Sequence, residues 1–415
     1  MPWQERSKMS LKLEFVKLAD HEEANMSALC RRFDISRPTG YKWLERYREE
    51  GPEGLAERSR RPDHSPNKTP GPIAEAVCAV RETHPTWGGS KIRNRLLHQT
   101  EAGTLSFRPE KAPAASTCQA ILERNGLVDP DPETRPTGFE RFEREAPNEL
   151  WQMDFKGHFP TTGGADCHPL TIVDDHSRFA LALEACSNER RETVKEQLTA
   201  VFQRYGLPRR ILCDNGLPWG VPASKKAERR LYTQLNAWLF RLGIDVIHGR
   251  PYHPETQGKN ERFHRSLNEE LLQQGSYESL SECQSGFDRW RRVYNLKRPH
   301  EALRTDTGRM EVPADRYRPS GRPFPAELPP VRYPSAKHVR AVSAGGQICF
   351  AGDRFYVGEA FDGHPVALRR QQSKAPSKEP PTGETGSQTA ASTQQWDVYF
   401  CHKKIRMIES KPPDQ

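Results

Sequence analysis

Three acidic residues stand where a sheet and a helix could bring them together in this 415-residue sequence. Asp154 lies inside the apolar segment 151–155, where an acid without a partner is costly. Asp214 directly follows the apolar segment 210–213, and strand ends of α/β sheets are where ligands gather. Glu261 lies near the start of a helical segment. We therefore take these three carboxylates as candidates for one site.

The helix that carries Glu261 is predicted to leave this side chain outside its buried face. Phe263, Leu267 and Leu271 recur at i, i+4 and i+8 and predict an apolar stripe. At about 100° per residue, Glu261 lies about 200° from Phe263, so it can point sideways into a cleft. Carboxylates without nearby histidine or cysteine suit Mg²⁺ or Mn²⁺. Two such ions, about 3.5–4 Å apart, promote phosphoryl transfer.

Each acid also has an ordinary structural explanation. Asp-Asn-Gly at 214–216 is a turn signal, a lone acid at a strand end is commonly a cap, and Glu261 could form an i,i+4 pair with Arg265. The metal-site hypothesis depends on the three residues together and on their basic surroundings.

Basic residues are concentrated around these acids. The chain has a net charge of +8; residues 204–265 hold twelve Lys and Arg against five Asp and Glu, and residues 286–340 hold thirteen against six. A solvated surface would explain either stretch alone. Both stretches beside candidate catalytic acids favour a nucleic-acid partner.

The remaining composition excludes several protein classes. No run approaches the ~18 apolar residues of a membrane span, and no secretory signal stands at the N-terminus, so we expect a cytoplasmic protein. The nine cysteines never form CxxC, which argues for reduced thiols and against a cysteine-rich zinc site.

The N-terminal region predicts a helix-turn-helix. Apolar periodicity indicates a helix over 11–19 and a second from Ser27, its N-cap, to Phe33. After a short turn, Ser36 caps a third helix over 37–47. Two helices joined in this way form the DNA-reading unit, although an ordinary helical hairpin has the same pattern.

The third helix would present its first turns to the major groove. We expect Arg37, Tyr41 and Lys42 to face DNA, while Trp43 and Leu44 pack inward. A second helical module over 73–128 resembles this unit less closely, and its helices could instead pack on the domain that follows.

The sequence pattern then changes to alternating strands and helices, which predicts an α/β domain with a mixed sheet. The predicted strands are 150–159, 170–174, 179–184, 210–213 and 244–247. The predicted helices are 190–205, 227–242, 256–273 and 280–294.

Beyond this domain the chain predicts a small β-rich segment. Strand candidates are 347–350, 354–357 and 366–368, which favour a β-barrel or ribbon. Residues 371–395 are low in complexity and predicted to be disordered, and 396–408 predicts one more strand pair.

The motifs in this order resemble those of bacterial insertion-sequence transposases with a retroviral-integrase-type catalytic core. The resemblance covers about residues 20 to 320. It is specific because several motifs occur together in the right order, whereas any one of them alone would be a weak signal. The matching segments are Trp151–Asp154, Ile172–Arg178, Cys213–Gly216, Tyr252–Arg262 and Asn295–Leu303.

The resemblance implies an RNase H-like core, a mixed sheet flanked by helices, after helix-turn-helix modules and before a small β-rich domain. It implies the following divisions: 1–60 and 61–128 as DNA-binding modules, 129–147 as linker, 148–300 as catalytic core, 301–370 as basic β segment, 371–395 as linker and 396–415 as strand pair and tail.

By the same resemblance, Asp154, Asp214 and Glu261 would be the catalytic, metal-binding triad for two Mg²⁺ or Mn²⁺ ions. Lys259 and Arg262 would approach DNA beside them. The chain would bind the terminal inverted repeats of the element, cleave phosphodiesters and join the 3′-hydroxyl ends to target DNA, as a homo-oligomer. The alternatives are a non-catalytic or domesticated DNA-binding regulator and a plain nuclease of the same fold.

Two features leave room for other assignments. Asp174 and Asp175 compete for a carboxylate role, but the family pattern puts them on a neighbouring strand, where we expect a structural role. The 46 residues between Asp214 and Glu261 exceed the spacing of many relatives. The excess around 218–230 predicts a basic surface insertion, and Glu255 is a rival for the third acid.

A retroviral integrase proper would also carry a His-His-Cys-Cys zinc module. Here His84, His98, Cys78 and Cys118 lack tight ligand spacing. We therefore expect no structural zinc.

Overall fold

The computed structural model describes residues 8–57, 68–105, 107–128, 143–220, 232–248, 258–371 and 393–411. The chain divides after Lys68 into two compact units.

The first unit contains the three predicted helices, α1 (Lys8–Ala19), α2 (Met26–Arg32) and α3 (Arg37–Glu50). Ser36 caps α3 as predicted, because its Oγ accepts a hydrogen bond from Thr39 N. The predicted cap of α2 is wrong. Helix α2 begins before Ser27, and Asn25 Oδ1 accepts from Ala28 N instead.

The core of this unit is apolar, as the predicted stripes require. Trp43 and Leu44 face inward, as expected. Residues 51–72 are rich in Pro, Gly and Arg, which predicts a basic linker. The start of this segment instead packs on the unit, because Leu55 in the turn after α3 is buried. The buried residues of the cluster are Phe15, Val16, Ala19, Cys30, Trp43, Leu44 and Leu55.

The second unit begins with the second helical module, α4 (Gly71–Thr83), α5 (Gly89–Glu101) and α6 (Ala115–Arg124). Its three helices surround Trp87, which lies just before α5 and is 1% exposed. The module has a cluster of its own, with Val77, Val80, Trp87, Ile92, Leu96, Cys118, Ile121 and Leu122.

This module packs on the rest of the unit, which is one of the two arrangements that its sequence left open. Asn94 Oδ1 accepts a hydrogen bond from Met310 N at 2.8 Å. The guanidinium of Arg309 donates to both carboxylate oxygens of Glu101 at 2.9 and 2.7 Å. Val293 packs against the module's apolar cluster.

The predicted mixed sheet is confirmed. Strands β4, β3, β1, β5 and β6 lie side by side in that order, and the short β2 pairs with the start of β3. The pairs β1–β3 and β3–β4 are antiparallel, while β1–β5 and β5–β6 are parallel. The strands are β1 (Trp151–Phe155), β2 (Phe159–Pro160), β3 (Asp166–Asp174), β4 (Ala180–Cys186), β5 (Arg210–Cys213) and β6 (Asp245–His248).

Helices cover both faces of this sheet. Alternate residues of β3 divide between two apolar clusters, as the period of a strand requires. Leu170 and Ile172 join the cluster with α7 (Arg191–Tyr205) and α8 (Gln234–Arg241). Cys167 and Val173 join the cluster with α9 (Gly258–Glu270) and α10 (Leu280–Leu296).

Most predicted bounds in this domain hold, with two clear differences. Strand β3 begins at Asp166, four residues before the predicted start at 170. The first strand ends at Phe155 and not at Phe159, because Gly157 takes a φ of 87° and turns the chain. The unpredicted β2 follows that turn. The predicted helices over 227–242 and 256–273 begin outside the described residues.

The last part of the chain forms a four-stranded sheet, in the order β12, β11, β10, β7, and a hairpin of β8 with β9. Because β11 pairs with β10, the predicted strand pair over 396–408 is confirmed and belongs to the same sheet as the preceding segment. Residues 372–392 lie outside the described part. The elements are α11 (Pro313–Arg316), β7 (His338–Ala341), β8 (Gln347–Phe350), β9 (Asp353–Tyr356), β10 (Pro365–Arg370), β11 (Gln394–Phe400) and β12 (Lys403–Ser410).

Helix length and polarity also bear on membrane association. Within the described ranges, no helix is both long and apolar enough to cross a bilayer.

A buried ion pair joins α9 to the segment after α10, and we expect its loss to destabilise the second unit. Arg298 Nε lies 2.9 Å from Glu270 Oε1, and both side chains are no more than 10% exposed. Arg298→Ala leaves Glu270 buried without its cation, which should lower the free energy of unfolding by about 3–5 kcal/mol. Urea unfolding of the full chain measures this loss. Lys404→Ala, which breaks a more exposed pair with Asp397, should stay within about 1 kcal/mol of wild type; equal losses would contradict the prediction.

Candidate active site

The parallel register of β1 and β5 places Asp154 beside Asp214. Gln152 is opposite Leu212 in that register, and each acid follows two residues later along its chain. Because side chains alternate along a strand, Asp154 shares the face of Gln152. That face lies opposite the core that contains Met153. The two acids predicted from strand context are therefore neighbours.

The local electrostatics show that these carboxylates interact. Burial, the neighbouring charge of Asp214 and the more distant charges of Glu189 and Glu261 raise the pKa of Asp154 to about 7, against a weaker opposing effect of the Phe155 N–H. Burial also raises the pKa of Asp214, while the Gly216 N–H and His248 oppose that rise. A site with this much negative charge favours a bound cation.

A tight turn orients the carboxylate of Asp214. Gly216 N donates to Asp214 Oδ1 at 3.1 Å. A Cβ on Gly216 would lie 3.0 Å from Asp214 Oδ2, so a larger residue would displace the carboxylate. At the end of β6, the ring of His248 has Nδ1 2.8 Å from the carbonyl oxygen of Asp214. Since a carbonyl only accepts, Nδ1 carries the proton.

The segment after this turn corrects one prediction. Pro218, Trp219 and Gly220 are buried, and Trp219 lies 5.6 Å from Phe155 between ring centroids. The expected surface insertion over 218–230 therefore begins inside the core, because the indole finds an apolar partner on β1. Residues 221–231 lie outside the described part.

Glu261 has the predicted orientation. It lies exposed in the first turn of α9, while Phe263 and Leu267 are buried. Phe263 packs edge-on against Trp290 and Tyr294, at 5.3 and 4.9 Å between ring centroids. These contacts hold the apolar stripe against α10 and leave Glu261 on the open side.

The donor chemistry of the site fits a hard divalent cation, although the ligand set is incomplete. Among the residues that the structure describes, no three His, Cys, Asp or Glu side chains lie close enough to hold one metal ion. Asp154 and Asp214 offer adjacent carboxylate oxygens. Mg²⁺ is commonly bound by one or two carboxylates together with water and substrate phosphates, so two adjacent acids are a suitable start.

Sequence reasoning missed residues that the fold brings to the site. Glu189, in the loop before α7, raises the pKa of both Asp154 and Asp214 and accepts a hydrogen bond from His168 Nδ1 at 2.9 Å. His264, on α9, contacts Thr171 on β3. No local signal marks these residues, since each depends on a contact between distant segments.

Asp174 and Asp175 are engaged in structural contacts. Asp174 is 0% exposed and accepts hydrogen bonds from the N–H and Oγ of Ser177 and from Asn148 N. Asp175 accepts from Gln152 Nε2 at 2.8 Å. These contacts support the structural role expected for both. The other rival, Glu255, lies outside the described residues.

The predicted DNA contacts differ in accessibility. Arg37, Tyr41 and Lys42 are all exposed on α3, with Tyr41 at 56%. Arg262 is exposed beside Glu261. The ammonium of Lys259 is instead paired with a buried acid of the core, at 2.5 Å from Asp175 Oδ1.

Family models match most of the described chain in a consistent order. A helix-turn-helix domain matches residues 11–62 and a homeodomain-like domain matches 39–108. Two integrase core domain models match 144–254 and 242–307. The C-terminal domain of the IS481 transposase family matches 337–412.

Curated relatives come from insertion elements and retroviruses. The 39.2 kDa protein of insertion element IS476 from Xanthomonas euvesicatoria is 28% identical over 38% of this chain and 42% of its own length. The 31.7 kDa protein of IS407 from Burkholderia multivorans is 25% identical over 38% and 53%. The Pol polyprotein of feline endogenous virus ECE1 is 26% identical over 54% and 19%. The chain thus spans less than two thirds of each of these relatives.

The solved structures that the chain matches include retroviral integrase cores. The catalytic core domain of BIV integrase has a TM-score of 0.29 at 23% identity, over 40% of this chain and 92% of that one. The HTLV-2 integrase core domain, solved in complex with magnesium, has a TM-score of 0.29 at 18% identity, over 42% and 99%.

The matches and the fold agree with the class expected from the sequence. The integrase core models cover the mixed sheet and its helices, so the RNase H-like core after helix-turn-helix domains is confirmed. The IS481 transposase domain covers the C-terminal sheet. These matches support the resemblance to insertion-sequence transposases that carry an integrase core domain.

Proposed function

We propose that this chain cleaves DNA at the ends of an insertion sequence and joins the freed 3′-hydroxyl to target DNA, with Asp154, Asp214 and Glu261 as the catalytic, metal-binding triad. The observation that supports this most is the register that sets Asp154 beside Asp214, where charge and burial raise the pKa of Asp154 to about 7. Such a pair of acids favours a bound cation, and metal-assisted displacement at phosphorus is the chemistry expected of an integrase core domain.

Both steps are displacements at phosphorus without a covalent protein–DNA intermediate. In the first, water attacks the phosphodiester and the bond to the 3′-oxygen of the element end breaks. In the second, that 3′-hydroxyl attacks a target phosphodiester and displaces a target 3′-hydroxyl. When bound, two Mg²⁺ or Mn²⁺ ions would activate the attacking oxygen and stabilise the leaving one.

The residues of the chain contribute position and charge. Asp154 and Asp214 concentrate negative charge at one edge of the sheet, and Gly216 N and His248 orient Asp214 through its carboxylate and carbonyl. Glu261 adds a third carboxylate from α9. None of these acids has to transfer a proton for this role.

DNA recognition would come from the helix-turn-helix units. Exposed Arg37, Tyr41 and Lys42 would enter the major groove, and Arg262 would contact DNA beside the triad. Affinity should fall steeply with salt, since phosphate contacts release counterions. Joining two element ends in one event calls for at least two copies on the DNA, so we expect a homo-oligomer.

The test uses the full chain, Mg²⁺ and duplexes that carry the inverted repeats flanking its gene. We expect nicks that leave a 3′-hydroxyl at the repeat, followed by joined products with a target duplex. Pre-cut ends that carry a 3′-deoxy terminus should bind equally well but fail to join. Hydrolysis without joining would instead indicate a nuclease, and binding without cutting would indicate a regulator.

A further inference from the structure

Helix α9 is tied to the sheet by a buried ion pair two residues before Glu261. Lys259 Nζ lies 2.5 Å from Asp175 Oδ1, and it also donates to the carbonyl oxygen of Asp175 at 3.3 Å. The side chain of Asp175 is 1% exposed and that of Lys259 is 16% exposed. The ammonium therefore points under the helix towards the end of β3.

A second contact ties α9 to the sheet three residues after Glu261. His264 Nε2 lies 2.8 Å from Thr171 Oγ1, and the Thr171 hydroxyl donates to the carbonyl oxygen of Asp154 at 2.9 Å. Since a hydroxyl has one hydrogen, His264 must be the donor to Thr171. Thr171 is the β3 partner of Asp154 in the register, so this chain of hydrogen bonds runs from α9 to the first triad strand.

Between these two contacts lies a buried amide without a partner. Asn260 is 1% exposed, and neither polar atom of its side chain has a hydrogen-bond partner among the described residues. Gln152 donates to Asp175, but its Oε1 also has none within that part of the chain. Buried polar atoms of this kind are destabilising compared with apolar packing.

This polar interface between α9 and the sheet adds little to stability, but it can fix the position of the helix on the sheet. Replacing a buried ion pair with apolar residues is often neutral or stabilising, and a well-attested use of such pairs is to fix the position of one element on another. Apolar packing is non-directional, so the contacts of Phe263 with α10 still allow α9 to slide or rotate. A shift by one residue is a rotation of about 100° and a rise of about 1.5 Å. Two polar contacts on either side of Glu261 prevent both movements.

We propose that Lys259 and His264 are positioning residues, whose contacts with Asp175 and Thr171 hold α9 so that Glu261 faces Asp154 and Asp214. This inference rests on the proposed function. It assigns the ammonium of Lys259 to the core and differs from the expectation that Lys259 contacts DNA. A misplacement of about 1 Å at a catalytic group can slow a reaction ~10²-fold, which is the size of effect expected when one contact is lost.

The decisive comparison is Lys259→Met against Asp175→Asn in the full chain. Asp175 is too buried to touch DNA, so both variants should cut element ends about 10²-fold slower at saturating DNA. The double variant should be no slower than either single one, because the two residues act through one contact. Duplex affinity and its salt dependence should equal those of wild type, while calorimetric Mn²⁺ affinity should fall in both.

Arg289→Met is the control, because it removes an exposed cation from the neighbouring helix α10 and takes part in neither contact of α9 with the sheet. It should cut at the wild-type rate at saturating DNA. Thr171→Val, which is nearly isosteric, should reproduce the slow cutting by releasing His264. Thermal midpoints identify any variant that fails to fold. If Asp175→Asn fails to fold, Lys259→Met still tests the inference.

Two outcomes would overturn the inference. If Lys259→Met lowers the salt slope of DNA binding by about one unit and cuts normally at saturation, Lys259 is a phosphate contact. If wild type cuts DNA and both variants cut it at the wild-type rate, the contact between Lys259 and Asp175 is not needed to position α9. A wild-type chain that never cuts would instead refute the proposed function, so the two failures are distinguishable.

Discussion

Asp154→Asn should abolish both cutting and joining of DNA, while the protein still binds element ends with wild-type affinity. The substitution removes a negative charge beside Asp214 and leaves an amide of the same size in β1. Charge stabilisation by bound metal is worth several kcal/mol in the transition state. At 1.36 kcal/mol per tenfold in rate, the loss should be about 10³-fold or more. Nicked and joined products on labelled repeats measure it.

Asp166→Asn is the matched control for that experiment. Asp166 is exposed at the start of β3, in the same sheet, and belongs to no contact of the triad. It should cut and join at wild-type rates. Normal cutting by Asp154→Asn would reject the triad assignment. Glu261→Gln should lose activity to a similar extent; if it does not, Glu255 becomes the third acid.

The sequence alone was sufficient to predict features that depend on the repeat of apolar residues within one helix or strand. The apolar segments 151–155 and 210–213 placed Asp154 on one strand and Asp214 directly after another. The 3.6-residue period of α9 placed Phe263 inside and Glu261 outside. Periodicity states which side of an element is buried, and that is enough to orient the carboxylates.

Periodicity does not state which distant segment covers that side. Glu189 comes from a polar loop that carries no pattern, and its place near Asp154 follows only from the packing of α7. Trp219 resembles part of a surface insertion until the ring of Phe155 is found beside it. Lys259 resembles a DNA contact until its buried partner Asp175 is known.

The placement of the second helical module shows the same limit over a longer distance. The contact of Asn94 with Met310 joins residues more than two hundred positions apart. A helical pattern with an apolar core of its own is equally consistent with a free module and a docked one. The module is docked by a few polar contacts, such as that of Arg309 with Glu101, and these contacts produce no periodic pattern in the sequence.

The raised pKa of Asp154 leads to a second large effect, on stability in the absence of metal. In the unfolded chain the pKa of an aspartate is near 3.8, and in the folded protein burial and neighbouring carboxylates raise that of Asp154 to about 7. Between about pH 4 and pH 7, the folded state therefore holds a proton on Asp154 that the unfolded state has released. The stability that this group contributes is complete below about pH 4 and is lost as pH rises to about 7.

Asp154→Asn should consequently make the metal-free protein more stable, because the amide has no charge to bury. In EDTA the gain should be small at pH 4–5, grow up to pH 7 and level off by pH 8 at no more than about 4 kcal/mol, from 1.36 kcal/mol per pKa unit. Thermal midpoints of wild type and variant across this range measure the gain. Asp166→Asn should show no such trend.

Divalent metal should reverse the order of the two proteins. Metal binding requires an ionised ligand, so apparent Mn²⁺ affinity of wild type should fall about tenfold per pH unit below 7. At pH 8, Mn²⁺ should raise the thermal midpoint of wild type and leave that of Asp154→Asn almost unchanged, because a ligand stabilises only the state that binds it. Equal stabilisation of both proteins would mean that the metal binds elsewhere. If the variant is less stable than wild type in EDTA at pH 8, burial and the neighbouring carboxylates do not destabilise the ionised form of Asp154.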